Sequence, residues 1–162
     1  MSNIIPPRPR MVGTKRRFAI VAGQFNGEYV QGLVTHATDE LRRLVPNAAV
    51  SLNQVPGAFE VPIVVREIAT QRAADAIIAI AVIMQGKTTH AENLARSVTD
   101  ALQRIALEDG VPVLNAVLSF DNPAQARERC LEKEINRGTE AARAAVQIST
   151  VMAELRTRQT HG

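Results

Sequence analysis

AIIAIAVIM at residues 76–84, followed by QGKTTH at residues 85–90, is the stretch of the sequence that decides the fold. Nine apolar residues in succession are too few to cross a membrane, but they fit a β-strand buried on both faces, as in a parallel sheet. We expect the strand to stop at Gly86, in a turn closed to residues with a Cβ atom. The threonines that follow should cap the helix that the pattern after His90 predicts. Backbone N–H groups at such a turn point outward, which predicts an anion site beside a titratable imidazole and favours an enzyme.

Three other apolar stretches predict the remaining strands. FAIVAG at residues 18–23 is a buried strand, AVSLNQV at residues 49–55 alternates and so is expected at an edge, and VPVLNAVLS at residues 111–119 is a fourth strand. A helical pattern follows each strand, so the order is βαβαβαβα with one extra helix. This alternation predicts an α/β fold, a flavodoxin-like three-layer α/β/α sandwich around a four-stranded parallel sheet, with ligands beyond the carboxyl ends of the strands.

Local signals set the limits of the predicted helices. Asn122 followed by Pro123 is a cap and a first-turn proline, and the break at residues 136–138 separates a fourth helix from a long Ala-rich one. The predicted helices cover about residues 28–44, 58–71, 91–109, 123–134 and 139–156. The loops that should open together on one rim start at Gln24, Pro56, Gln85 and Phe120.

The chain of 162 residues is long enough for one domain with a substantial core. We assign residues 17–157 to this domain, residues 1–16 to a basic, proline-rich N-terminal tail and residues 158–162 to a C-terminal tail. The N-terminal tail lacks the apolar segment of a secretory signal. The single Cys130 excludes an internal disulfide, and the three scattered histidines offer no metal-ligand spacing, so we expect a cytoplasmic location and no metal.

The excess of positive charge belongs to the N-terminal segment. The first 17 residues hold five of the 19 basic residues and none of the 16 acidic ones, which leaves 14 basic against 16 acidic residues in the remainder. Because the body of the protein is not basic, a nucleic-acid surface is not expected. We expect no membrane partner either.

Four groups of residues on the predicted rim could carry chemistry. They are Phe25 with Asn26, residues 57–60, residues 86–90, and the basic residues Arg129, Lys133 and Arg137. Each group has an ordinary structural interpretation as well: loop packing, a turn before a helix, a helix start, and a solvated charged face. No single group is specific on its own.

Four motifs taken together resemble the 6,7-dimethyl-8-ribityllumazine synthase family. They are VPGAFEVP at 55–62, GKTTH at 86–90, QARER at 125–129 and NRGTEAA at 136–142, and the resemblance covers about residues 18–152. The family condenses 5-amino-6-ribitylaminouracil with 3,4-dihydroxy-2-butanone 4-phosphate, releasing phosphate and water, in the penultimate step of riboflavin biosynthesis. The resemblance therefore implies a transferase with two small-molecule substrates and no metal or redox cofactor.

The resemblance also implies a role for particular residues. His90 is the implied catalytic residue, a proton shuttle for imine formation and phosphate elimination. The implied substrate-binding residues are Phe25, Asn26, Gly57, Ala58, Phe59, Glu60, Ile83, Met84, Gln85, Gly86, Lys87, Thr88, Asn115, Arg129, Lys133 and Arg137.

These binding residues divide by the part of the substrates that they are expected to contact. Phe25 would stack on the pyrimidine, Asn26 and the segment that ends at Glu60 would hold the ribityl chain and the ring edge, and residues 83–86 would line the heterocycle. Backbone amides of residues 87 and 88, with the side chain of Arg129, would bind the phosphate.

The implied site is shared between subunits. Asn115, Arg129, Lys133 and Arg137 would come from the neighbouring subunit, which makes a homopentamer the smallest functional unit. Assembly above the pentamer stays open, because the prolines at residues 6–9 would interrupt a strand added to a neighbour's sheet.

Five positions depart from the usual pattern of the family. Gln24 stands where Arg is common, Gln85 where Arg or Lys is usual, and Asn115 where an aromatic residue is common. Arg137 replaces the usual Lys, and Lys87 adds a cation where a small residue is usual, beside the predicted phosphate site. We interpret these differences as variation within an active enzyme.

Two other functions share the fold. One is a non-catalytic flavin or lumazine carrier, which would need neither His90 nor the phosphate set of Thr88 and Arg129. The other is a structural protein that builds cages from pentamers, a role that is compatible with catalysis. An assay of lumazine formation separates the enzyme from the carrier, and sedimentation separates the assembly states.

Overall fold

The structure is a computed structural model that describes residues 15–160. Most of the predicted N-terminal tail and residues 161 and 162 lie outside the described residues. The strands are β1 (Arg17–Gly23), β2 (Ala49–Val55), β3 (Ala76–Met84) and β4 (Val113–Phe120). The helices are α1 (Gly27–Leu44), α2 (Val61–Thr70), α3 (His90–Asp109), α4 (Pro123–Cys130) and α5 (Arg137–Thr160), and a short 3-10 helix at Ala58–Glu60 precedes α2.

The four strands form one parallel sheet in the order β2-β1-β3-β4. This is the strand order of flavodoxin-like folds, and the predicted α/β class is confirmed. β3 lies inside the sheet and is buried from Ala76 to Ile83, as its uninterrupted apolar run predicts. β2 lies at an edge and has several exposed residues, which its alternating sequence predicts.

Side chains on the two faces of the sheet pack against different helices. Ile78, Ile80 and Val82 of β3 belong to a core shared with α1, α4 and α5. Ile77 and Ile83, from the alternate positions, belong to a second core shared with α2 and α3. The alternation within one strand therefore produces the three layers, because each face needs its own cover of helices.

Several element limits differ from the sequence-based predictions. The second helix begins as a 3-10 turn, α4 ends at Cys130 rather than near residue 134, and α5 continues to Thr160. β4 starts at Val113 instead of Val111, because Pro112 has no N–H to donate and only its carbonyl accepts a bond, from Ile77. The predicted cap at the start of α4 is confirmed, since the Asn122 side chain accepts from the Gln125 N–H at 2.9 Å.

The expectations about the turn after β3 are wrong in two respects. A Cβ added to Gly86 would meet open space, and among the described glycines only Gly110 has a positive φ, so this turn does not require glycine. Thr89 stands at the N-cap of α3 but makes no side-chain cap bond, because its own backbone (φ −74°, ψ 0°) is already helical rather than extended. The Thr88 hydroxyl instead accepts a 3.4 Å bond from the N–H of His90.

Helix α1 packs unusually closely against the segment formed by the last residue of α4 and the residue after it. A Cβ added to Gly32, within α1, would lie 2.5 Å from the carbonyl oxygen of Cys130 and 2.5 Å from Cδ2 of Leu131. A backbone carbonyl cannot rotate away as a flexible side chain can. Gly32 therefore sets the distance between α1 and this segment.

We predict that Gly32→Ala lowers the free energy of unfolding by about 1–3 kcal/mol, because overpacking outweighs the helical preference of alanine. Gly27→Ala is the matched control, since a Cβ at Gly27 meets no atom within 4 Å. The control should change the free energy of unfolding by no more than about 1 kcal/mol, in the stabilising direction. Urea denaturation of both variants at one protomer concentration measures the difference. An increase in stability for Gly32→Ala would contradict the close-packing argument.

Candidate functional site

The carboxyl ends of the four parallel strands lie at one edge of the sheet, where hydrogen bonds join them in two pairs. The N–H of Gln24, after β1, donates to the carbonyls of Val55 (2.9 Å) and Pro56 (3.1 Å) at the end of β2. The N–H of Gln85, after β3, donates to the carbonyl of Phe120 at the end of β4 (2.9 Å). The prediction that the four loops open on one rim is confirmed.

The first rim loop is fixed by Asn26. Its backbone is left-handed (φ 56°, ψ 46°), and its carbonyl accepts from the N–H groups of Tyr29 and Val30 at the start of α1. Its side-chain Nδ2 donates to the carbonyl of Val82 in β3 at 2.7 Å. Asparagine suits both tasks, because it tolerates the left-handed region and carries an amide donor. Asn26 thus ties the β1 loop to the central strand.

An aromatic surface covers the middle of the rim. Phe25 and Phe59 are each 71% exposed, although large apolar side chains are usually buried. A Cβ added to the buried Gly57 would lie 2.7 Å from Cδ2 of Phe25, and 3.6 Å from Oε2 of Glu60. The Phe25 ring therefore rests on the Gly57 backbone with the Glu60 carboxylate beside it. Ala58 is buried under this surface.

The turn after β3 brings the next group of predicted residues to the same rim. Ile83 is buried, Met84 is half-buried, and residues 85–90 are exposed. His90 is the first residue of α3, so its imidazole stands at a helix N-terminus, where backbone amides lack partners within the helix. The imidazole thus lies next to the turn after β3, as the sequence predicts, and an anion site at this turn stays a prediction.

The predicted basic residues lie on the other side of the sheet. Arg129 and Arg137 line a groove of about 480 Å³ along β4. The other residues that line this groove are Val117, Leu118, Ser119, Phe120, Gln125 and Glu128. Arg137 also pairs with Glu140 at 2.5 Å. Lys133 is exposed between α4 and α5 and is not among the residues that line the groove.

His90 and Arg129 therefore do not share one face. α3 packs on the face with α2, while α4 packs on the face with α1 and α5. The structure brings Phe25, Gly57 and Glu60 together in one place and Arg129 with Arg137 in another.

Asn115 lies within β4, in register with Ala79, and well before the strand's carboxyl end. Its Oδ1 accepts from the N–H of Val117 at 3.0 Å, and its Nδ2 donates to the Thr99 hydroxyl at 3.4 Å. The carboxamide is thus engaged by its own chain. It is not part of the rim of its own subunit.

The sequence interpretation missed one polar residue beside the basic groove. Asn136 is only 2% exposed and lies between α4 and α5. The sequence pattern assigns residues 136–138 to a break between two helices, whereas Asn before a helical run is also a cap signal. That signal could have identified it as the start of α5.

Neither a thiol nucleophile nor a metal cluster is evident among the described residues. Burial raises the pKa of Cys130 to about 12, so its thiol carries almost no thiolate at neutral pH. Across residues 15–160, no three His, Cys, Asp or Glu side chains are grouped so that they could hold a metal ion. In the same range, no helix is long and apolar enough to span a membrane.

Comparisons with known proteins agree with the motifs. The family model described as 6,7-dimethyl-8-ribityllumazine synthase matches residues 15–153. A curated protein of Halorhodospira halophila (strain DSM 244 / SL1), named 6,7-dimethyl-8-ribityllumazine synthase, is 39% identical over 140 residues. The match covers 86% of this chain and 90% of that protein, so the similarity extends over most of the chain.

We predict that substitutions of Asn26 separate its backbone role from its hydrogen bond. Asn26→Ala should lower the free energy of unfolding by about 2 kcal/mol, since alanine is strained in the left-handed region and the bond to Val82 is lost. Asn26→Gly, the control, keeps the backbone conformation and should lose only about 1 kcal/mol for the bond. Denaturant titration at equal protomer concentration provides the comparison. Equal losses in the two variants would show that the left-handed backbone carries no cost.

Proposed function

The chain belongs to the 6,7-dimethyl-8-ribityllumazine synthase family, and from this premise we propose that the rim is its active site. The enzyme condenses 5-amino-6-ribitylaminouracil with 3,4-dihydroxy-2-butanone 4-phosphate to 6,7-dimethyl-8-ribityllumazine, with release of phosphate and water. This is the penultimate step of riboflavin biosynthesis. The matching relative is named as a synthase, so a non-catalytic carrier is not favoured.

The observation that carries the site assignment is the exposed Phe25 ring on Gly57, with Glu60 next to it. A fixed, solvent-facing aromatic ring offers a stacking surface for a pyrimidine. The Glu60 carboxylate can accept hydrogen bonds from ribityl hydroxyls. Asn26 and Phe59 complete this pyrimidine half of the site, and the end of β3 lines its floor.

The phosphate is proposed to bind at the turn after β3. This turn leads directly into the N-terminus of α3, where unpaired backbone amides and the helix dipole favour an anion. Thr88 contributes its amide, and Lys87 adds a positive charge at the same exposed turn. The butanone phosphate would then lie next to the imidazole of His90.

His90 is proposed to transfer protons during imine formation and phosphate elimination. These steps need a group that gains and loses a proton near neutral pH, which imidazole does. Much of the rate enhancement should come from holding the two substrates in contact, because binding both of them converts a bimolecular step into an effectively unimolecular one.

The basic residues are proposed to serve the site of a neighbouring subunit. His90 and Arg129 belong to helices on opposite faces of the sheet. A head-to-tail ring, in which each subunit offers one face to the next, lets the two halves meet at every interface. We propose a homopentamer of this kind, in which Asn115, Lys133 and Arg137 accompany Arg129. A cytoplasmic enzyme with residues 17–157 as its single domain is part of the same proposal.

We predict that His90→Ala lowers kcat by about 10–100-fold, because the proton shuttle is lost while the two reactants are still held together. Affinity for the lumazine product should stay nearly unchanged, since a proton shuttle acts mainly in the transition state. Lumazine absorbance follows the reaction, and equilibrium titration of the product measures its affinity. Glu92→Gln, an exposed change in the first turn of the same helix, is the control and should keep wild-type kcat. A large loss of product affinity with unchanged kcat would assign His90 to binding.

Mixed oligomers test whether the site is shared. Subunits with only His90→Ala and subunits with only Arg129→Ala should each be poorly active at low butanone phosphate. Dissociating and reassembling an equal mixture should raise the activity above the mean of the two parents, because about a quarter of random interfaces then carry both native groups. Mass measurement confirms the mixing. Mixed rings that never exceed the parental mean would show that both residues serve one subunit's own site.

A further inference from the structure

Asn136 is a buried carboxamide with a hydrogen bond at each of its four available sites. Its Nδ2 donates to the carbonyls of Cys130 (2.9 Å), the last residue of α4, and Glu132 (3.0 Å), two residues later. Its Oδ1 accepts from the N–H groups of Gly138 (2.8 Å) and Thr139 (3.2 Å), in the first turn of α5. Backbone carbonyls only accept and backbone amides only donate, so the orientation of the carboxamide is fixed. One side chain therefore ties the end of α4 to the start of α5.

His36 adds a third bond to the same segment. Its Nε2 lies 3.2 Å from the carbonyl of Leu131, and because a carbonyl can only accept, the imidazole is the donor. The three consecutive carbonyls of residues 130–132 are thus each held by a side chain. The last carbonyls of a helix have no partner within it, and the bond from Asn136 supplies one for Cys130, the last residue of α4.

The backbone of α1 packs closely against the junction between α4 and α5, which we define as residues 130–138. A Cβ added to Gly138 would lie 2.3 Å from the carbonyl oxygen of Leu33, and Gly32 approaches Cys130 with similar closeness. The end of α4 and the start of α5 are therefore fixed both by hydrogen bonds and by contact. Neither helix end can move without breaking these interactions.

We propose that Asn136 is a positioning residue that sets the Arg129 guanidinium relative to Arg137 for the phosphate-bearing substrate. Arg129 directly precedes Cys130, Arg137 directly follows Asn136, and both arginines line the groove along β4. Arginine side chains are long, so the geometry at which two of them meet one anion depends on where their backbones are held. The inference rests on the proposed function, since it assigns a support to Arg129, which the family resemblance assigns to the phosphate, and to Arg137, which the proposal brings to the same neighbouring site.

Asn136→Asp tests the donor atom of the carboxamide separately from its acceptor atom. Aspartate keeps an oxygen that accepts from Gly138 and Thr139, and so retains the cap of α5. It replaces the donor to Cys130 and Glu132 with an oxygen that repels those carbonyls. We expect the KM for butanone phosphate to rise about tenfold, with the KM for the ribitylaminouracil changed by less than about twofold.

His36→Leu provides a second, milder variant in case Asn136→Asp does not fold. It removes one of the three carbonyl bonds and should raise the KM for butanone phosphate in the same direction by a smaller factor. His36→Gln restores a donor of similar reach and should return the KM to the wild-type value. Rescue by the conservative change separates a positioning effect from general loss of packing.

A double substitution tests whether Asn136 acts through Arg129. Arg129→Ala alone should raise the KM for butanone phosphate, and adding Asn136→Asp should raise it little further, because the group that is positioned is already absent. The stability control is Arg143→Leu, which removes the 2.6 Å bond from Nε to the buried Glu40 between α1 and α5, away from the junction. This variant should lower the denaturation midpoint and leave both KM values unchanged.

The possible outcomes distinguish this inference from the proposed function. Wild-type KM values in folded Asn136→Asp and His36→Leu, or additive effects in the double variant, would overturn the positioning role and leave the proposed function intact. If the wild-type protein forms no lumazine, or if Arg129→Ala leaves the KM for butanone phosphate unchanged, the proposed phosphate site fails and this inference fails with it. A selective, non-additive rise in that KM supports both.

Discussion

The central constraint on this fold is that β3 must be covered on both faces. Its residues from Ala76 to Ile83 are all buried, and alternate side chains enter two separate cores. Covering a parallel strand on both faces requires crossover helices on each side of the sheet. Because these crossovers keep all the strands parallel, the carboxyl ends of all the strands lie at the same edge of the sheet. The rim that collects Asn26, Gly57 and His90 is therefore a geometric result of burying one apolar run. The candidate functional residues of this rim lie in or beside the loops that the topology places at that edge.

The sequence predicted the elements well where the signal is local or periodic. The bounds of β2 and β3 agree residue by residue with the structure, and the Asn122 cap was read from two adjacent residues. Prediction failed where tertiary contacts decide. Gly86 is not a conformational necessity, and the role of Asn136 depends on how the chain turns between α4 and α5, which brings the carbonyls of Cys130 and Glu132 within reach. No periodicity in the sequence reports such contacts.

The candidate site was predicted as a set of residues, and its division between two subunits was implied by the family resemblance rather than by the residue pattern. Motif order suggests one cluster, whereas the sheet separates His90 from Arg129 by putting their helices on opposite faces. Arg129 and Arg137 line one groove although they lie on different helices, because the six-residue connection between α4 and α5 is held in place by the side chain of Asn136. The pyrimidine half of the rim, by contrast, is assembled within one chain, since Phe25 rests on Gly57 through direct contact.

Because Cys130 is buried, the reactivity of its thiol can report local unfolding at the end of α4. Cys130 is the single cysteine of the sequence, and burial raises the pKa of its thiol to about 12. Its backbone carbonyl accepts a hydrogen bond from the side chain of Asn136. An alkylating reagent can reach such a thiol only after the end of α4 separates from α1. The rate of alkylation then measures how often that separation occurs, without any added label. Substrate that stabilises the closed junction would slow the modification, so ligand occupancy becomes readable as chemical protection.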